Sequence, residues 1–186
     1  MTASPADPGF ILRAATQADI ATITEIYGHH VRCGLGTFEE VPPTLEEMLR
    51  RHNMVTGLRL PYLVAAAGPK ILGYAYVAPY RPRSAYRHSV EDSIYVAPDA
   101  MRKGIGLALL EELIERCTRS GYRQMIAVIG DSGNAGSVAV HERAGFHRIG
   151  IVRDIGFKAG RWVDTVLMQR ALGEGGETLP THRAPH

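Results

Sequence analysis

The sequence predicts an α+β domain: a mixed, mostly antiparallel twisted sheet of about seven strands, with helices on both faces. Three observations carry that prediction. Strand-like and helix-like segments follow one another in the order β-α-α-β-β-β-α-β-α-β-β. Residues 90–117 read as strand, glycine turn and helix in one continuous run. Residues 61–67 and 71–78 read as the two strands of a hairpin around Gly68-Pro69. At 186 residues the chain fits one domain with a sizeable core. We assign residues 10–172 to that domain, 1–9 to an N-terminal extension, and 173–186 to a mobile tail rich in Gly, Glu, Pro and Thr.

Each element has a local reason. Residues 10–13 form a short strand. Thr16 and Asp19 have capping-box spacing, and Ile20, Ile23, Tyr27 and Val31 mark one face of the helix that follows. Gly34-Leu35-Gly36 ends it, and Thr37-Phe38-Glu39-Glu40 leads as a loop to Pro42-Pro43. A second box, Thr44 with Glu47, opens a helix expected to reach Asn53. After the hairpin comes a loop rich in Arg and Tyr, residues 79–88. The strand over 90–96 stops at Pro98, which has no N–H for a ladder. Leu110, Leu113, Ile114 and Cys117 recur at i, i+3, i+4 and i+7, one helix face. Residues 124–129 are an apolar strand, 130–134 a loop, and a helix follows to Ala144, closed by Gly145. Residues 146–155 and 162–170 supply the last two strands.

Composition narrows the function. A net charge of +2, with arginines scattered and few aromatics among them, gives no nucleic-acid surface. No apolar run approaches the ~18 residues of a membrane span, and residues 1–9 lack the pattern of a signal peptide. Cys33 and Cys117 are far apart, and His29-His30 are adjacent rather than i, i+4, so neither a disulfide nor a metal site is expected. The expected compartment is the cytoplasm.

The glycine turn carries the first chemical signal. Met101, Arg102, Lys103, Gly104, Ile105, Gly106 and Leu107 join a strand to a helix N-terminus, where unpartnered amides and the helix dipole suit a phosphate or pyrophosphate. A dinucleotide fingerprint would need glycine at Leu109, and a P-loop would need Gly-Lys-Ser/Thr, which is missing. The turn resembles the pyrophosphate loop of the GCN5-related N-acetyltransferases: Gln or Arg, two residues, Gly, one residue, Gly or Ala. Met101 stands at the Gln/Arg position, and Arg102 and Lys103 keep positive charge beside it. The element order also matches that fold.

The resemblance spans residues 13–172 and points to one branch, the phosphinothricin and methionine sulfoximine/sulfone N-acetyltransferases. It is carried by T-F-E-E-V-P-P from Thr37, P-Y-R-P-R-S-A-Y from Pro79, V-E-D-S-I-Y-V from Val90, A-V-I-G-D-S-G-N from Ala127, H-E-R-A-G-F from His141, and G-F-K-A-G-R-W-V-D from Gly156. It implies acetyl transfer from acetyl-CoA to the α-amine of a small amino-acid analogue, and a homodimer. The amine must lose a proton, the departing thiolate can take one, and the carbonyl oxygen needs a donor.

Glu91 is the candidate base; the plain alternative is a surface carboxylate or an ion pair with Arg87. His141, where many relatives carry a tyrosine acid, either donates a proton or only hydrogen-bonds substrate or backbone. Asn134 is a pantetheine contact or a plain N-cap, and Ser137 stands one turn further. The resemblance implies that Ser93, Ile94, Tyr95 and Val96 offer backbone to the pantetheine, with the oxyanion donor near Ile94 or Val96. Strand alternation turns Asp92 to the face opposite Glu91. On the acceptor side the candidates are Phe38, Tyr80, Arg81, Arg83, Tyr86, Val90, Glu91 and Asp92, with the two arginines suited to a carboxylate or phosphinate. Competing readings are acetylation of a protein N-terminus, polyamine or antibiotic, and a non-catalytic acyl-CoA-binding module.

Overall fold

The computed structural model describes residues 9–180; residues 1–8 of the expected extension and 181–186 of the expected tail lie outside them. The elements are β1 (Ile11–Ala14), α1 (Ile20–Cys33), α2 (Leu45–Gly57), β2 (Tyr62–Ala67), β3 (Lys70–Pro79), β4 (Ser89–Val96), α3 (Ile105–Arg119), β5 (Gln124–Gly130), α4 (Ala135–Arg143), β6 (His147–Lys158) and β7 (Arg161–Ala171). The seven strands form one sheet in the order β1-β2-β3-β4-β5-β7-β6. Every pairing is antiparallel except β4 with β5. No helix of the described residues is long and apolar enough to cross a membrane.

The two sheet faces have different covers. Tyr27 of α1 meets Tyr95 edge-on at 4.9 Å, and His52 of α2 meets Tyr62 at 5.0 Å, so α1 and α2 lie on one face. On the other, a Cβ added at Gly73 would stand 3.4 Å from Ile105 of α3, and His141 of α4 bonds Asp92 of β4. The expected apolar stripe of α3 is the middle of that core: Leu110, Leu113 and Cys117 are wholly buried. Burial pushes the Cys117 thiol up to about 12, with Asp92's charge adding to it, so this cysteine is a core residue.

Some boundaries differ from the sequence reading. α2 continues past Asn53 to Gly57 because Val55 is buried and the chain turns only at Arg59, whose φ of 57° takes the left-handed role usual for glycine. The Thr44 box is half formed: Thr44 Oγ1 accepts from the Glu47 N–H at 3.2 Å, but the Glu47 carboxylate goes to Arg50 and Arg51. At the first box, Asp19 does accept from the Thr16 N–H at 2.7 Å and also takes a bidentate pair from Arg13. The β6–β7 hairpin is longer than expected and closes at Ala159-Gly160, both with positive φ, the geometry of a tight two-residue turn. At the C-terminal end, Arg123 donates to Thr178 and to the Leu179 carbonyl, tying down the described part of the residues after 172.

Candidate active site

The sheet opens in its middle. β4 pairs with β3 over its whole length, from Pro79↔Val90 to Gly73↔Val96. On its other edge it pairs with β5 only from Ser89↔Gln124 to Asp92↔Ala127. Beyond that rung Ser93 to Val96 have no β5 partner, and the strands part. The Ala97 N–H bonds the Leu72 carbonyl on the β3 side at 2.8 Å. Alternation therefore turns the Ile94 and Val96 peptide groups toward the gap, the two positions expected to hold the oxyanion donor.

The turn below the gap is built for close backbone approach. Gly104 caps α3 at φ 80°, ψ −6°, a conformation that strains any residue with a Cβ. Gly106 is not forced by its dihedrals; its added Cβ would sit 3.6 Å from Val96, in ordinary contact. The first amides of α3 have no intrahelical acceptor and project from its positive end. Met101, Arg102, Lys103 and Gly104 are exposed around them, and the Lys103 ammonium folds back on the Asp99 carbonyl. These features fit a diphosphate at the turn and an amide-bearing arm along β4.

Glu91 stands at the start of the gap, on the α1–α2 face. It is half-buried, and among the described residues its carboxylate makes no hydrogen bond or ion pair; Arg87 bonds the Ser84 carbonyl instead. Burial raises its pKa above the usual 4.5, Asp92's charge raises it further, and Arg81's charge pulls the other way. An unpartnered, partly dry carboxylate is equipped to take a proton.

Its neighbour has the opposite surroundings. Asp92 Oδ2 accepts from His141 Nε2 at 3.0 Å, and His141 Nδ1 donates to the Ser137 carbonyl at 2.7 Å. Both side chains are almost wholly buried. Burial opposes a charged ring, but the bond to Asp92, its charge and the Ser137 carbonyl outweigh burial and raise the His141 pKa. Asp92 and Val90 were expected to line the acceptor side; both are buried on the α3–α4 face instead, because even and odd residues of β4 face opposite layers. Asn134 makes the plain N-cap bond, from its Oδ1 to the Ser137 N–H at 3.2 Å.

The Phe38 loop is held over the same end of the sheet. A Cβ at Gly156 would lie 2.4 Å from the Phe38 ring, and one at Gly130 would lie 2.3 Å from the Leu35 carbonyl. Only glycine at both places lets the loop approach. The loop is then tied by the buried Lys158 ammonium, which donates to the Thr37 carbonyl at 2.7 Å. Tyr27 bonds Thr37 at 2.9 Å and Glu39 at 3.0 Å, and Arg51 bonds Glu39 at 2.6 Å. The loop over 79–88 is exposed. Arg81 stacks 5.2 Å from the Tyr80 ring, Tyr80 meets Tyr86 edge-on at 5.7 Å, and the Arg83 side chain has no bonded partner among the described residues. Arg81, Arg83 and Tyr86 line one groove with Pro79 and Ser89, and Arg81 alone extends its field to Glu91.

Sequence reading missed several residues at this site. His30 of α1 donates from Nε2 to the Val96 carbonyl at 2.9 Å, inside the gap, and its ring lies 5.4 Å from Tyr95. Arg51, Tyr27 and Lys158 anchor the Phe38 loop from three different elements. His30 and Lys158 lie 66 and 121 residues from their partners, Tyr27 and Arg51 lie 10–12 from theirs, and no local spacing announces any of them.

Comparison with known proteins agrees with this geometry. The Acetyltransferase (GNAT) domain family matches residues 12–167. The chain is 53% identical over 169 residues to a phosphinothricin N-acetyltransferase of Alcaligenes faecalis, covering 91% of this chain and 86% of that one. It is 37% identical over 175 residues to an L-methionine sulfoximine/L-methionine sulfone acetyltransferase of Pseudomonas aeruginosa, covering 94% and 98%. Among solved structures, a GNAT superfamily phosphinothricin acetyltransferase from Sinorhizobium meliloti, in complex with AcCoA, superposes with a TM-score of 0.91 at 49% identity, covering 95% of each chain.

Proposed function

The chain belongs to the GNAT acetyltransferase family and is an N-acetyltransferase, and from that premise we propose that it acetylates the α-amine of a small amino acid analogue of the phosphinothricin or methionine sulfone type, with Glu91 as the base. The observation that carries the reading is the opening of β4 from β5 immediately after Glu91 and Asp92, with the left-handed Gly104 turn at its far end. Acetyl-CoA supplies the thioester carbonyl that the amine attacks. Arg102, Lys103 and the first amides of α3 hold its diphosphate, and the Ile94 and Val96 peptide groups hold its arm and the carbonyl oxygen. Glu91 takes the ammonium proton, directly or through a water, before the nitrogen attacks. As the C–N bond forms the C–S bond breaks, CoA leaves as its thiolate, and the second proton shed by the nitrogen goes to that thiolate or to water. Its raised pKa makes it a stronger base than an ordinary glutamate. Arg81 meets the acceptor's carboxylate, since its guanidinium has no acidic partner of its own among the described residues. Names of the two relatives, each acting on an amino-acid analogue, support the same acceptor class.

We also propose a homodimer, through the outer edge of the sheet. β6 is an edge strand that leaves Ile149, Ile151, Ile155 and Phe157 exposed, with Trp162 beside them on β7. A long apolar edge left bare invites pairing with another chain.

The substrate class is tested by kcat/KM for methionine sulfone beside the matching amine without its carboxylate, in the wild type and in Arg81→Ala. The acid should be strongly preferred by the wild type. Arg81→Ala should lose about tenfold on the acid and little on the amine, because a partly exposed guanidinium is screened. Equal use of both acceptors by both proteins would remove the carboxylate contact and favour a polyamine or peptide acceptor.

A further inference from the structure

β4 and β5 are zipped only as far as Asp92↔Ala127. Past that rung, the separation of the two walls depends on what bridges them. Asp92 is the last β4 residue before the gap, and its side chain crosses to α4, the helix that follows β5. There its Oδ2 accepts from His141 Nε2 at 3.0 Å. The other ring nitrogen donates to the Ser137 carbonyl at 2.7 Å, and the Ser137 N–H bonds Asn134 Oδ1 at 3.2 Å. One chain of bonds thus runs from the last rung of β4 to the N-cap of α4, at the opposite lip of the gap. Phe146 holds the imidazole edge-on at 5.1 Å. The other charged or titratable neighbours are Cys117 of α3, which feels the Asp92 charge from within the core, and Glu91, which feels it from the far face of β4.

We propose that Asp92 and His141 are positioning residues that fix the width of the acetyl-CoA cleft, and that the imidazole delivers no proton to the departing thiolate. The inference rests on the acetyl-CoA reading of the cleft. A general acid needs a protonated nitrogen within bonding reach of the leaving atom. His141 is 4% exposed, and both of its nitrogens are already committed to protein acceptors. A buried, hydrogen-bonded ion pair is suited to holding two elements in one register.

The test combines acetyl-CoA affinity by calorimetry with the pH dependence of kcat, in Asp92→Ala, Asp92→Asn and His141→Gln, each checked for folding by circular dichroism. Asparagine can donate to the neutral imidazole and so keep the bridge. The expected result is acetyl-CoA affinity about tenfold or more weaker in Asp92→Ala, near wild type in Asp92→Asn, and a kcat pH profile of unchanged shape in His141→Gln. A role confined to stability would lower the melting temperature and leave the affinity of the folded protein alone. Unchanged affinity in Asp92→Ala, or loss of an alkaline limb in His141→Gln, overturns the proposal. If Asp92→Ala does not fold, Asp92→Asn and His141→Gln still decide it, because an acid role requires the alkaline limb to vanish with the imidazole. Wild-type protein that fails to bind acetyl-CoA would instead remove the reading of the cleft itself.

Discussion

Glu91 and Asp92 are adjacent carboxylates on one strand, and the two faces of the sheet give them different chemistry. Glu91 looks toward α1 and α2, where the cover is incomplete beside the gap; its carboxylate has no bonded partner among the described residues and has a raised pKa. Asp92 looks toward α3 and α4, where the cover is complete; it is buried and bound to His141. The difference shows that residue type and position along a strand do not fix what a carboxylate can do. What fixes it is which layer lies over each face, and where that layer stops.

The largest expected effect breaks the comparison on the Glu91 side. Glu91→Gln keeps the shape and removes the basicity, so turnover near pH 7 should fall by roughly 10²–10⁴-fold, with acetyl-CoA affinity little changed. Steady-state kinetics and calorimetry check both halves. The next breaks the Asp92 side. His141→Ala leaves a buried carboxylate without its partner and should cost about 3–5 kcal/mol of unfolding free energy, read from urea denaturation. Asp92→Asn with His141→Gln should recover much of that, because no unpaired charge remains buried.

A smaller effect concerns the turn that the gap leads to. Gly104→Val must adopt φ 80° with a branched Cβ, so it should weaken acetyl-CoA binding while the rest of the fold stays intact. Unaltered affinity in a folded variant would remove the turn from the cofactor site. The smallest is a pH dependence of stability. The folded His141 pKa is raised, so the pair's contribution is fully present below about 6.5, the ordinary histidine value, and fades as pH rises through the folded value. Melting temperature should decline over that range in the wild type, and less in the double variant.

Much of this was legible from local pattern. The element order, the glycine turn and the apolar stripe of α3 each follow from a few neighbouring residues, and alternation alone put Asp92 opposite Glu91. What alternation could not show was that this face of β4 is covered by α3 and reached by His141 of α4, so that Val90 is buried and both nitrogens of His141 are occupied. The gap itself has no local signature, since Ser93 to Val96 read as ordinary strand and differ only in what β5 fails to do. The same holds for His30, whose partner is the Val96 carbonyl 66 residues away in sequence. Gly130 reads as a loop entry and Gly156 as the first residue past the strand over 146–155; only the Phe38 loop lying across them explains why neither carries a side chain.

The comparison between the two carboxylates is tested most directly by the pH profile of kcat/KM for methionine sulfone, measured in the wild type and in Glu91→Gln. The wild type should lose activity on the acid side with a midpoint above the ordinary glutamate value of 4.5, because Glu91 must be deprotonated and its pKa is raised. In Glu91→Gln that bend should vanish, leaving a much lower rate that climbs with hydroxide. A variant with the wild-type bend and the wild-type rate would contradict the assignment of the base.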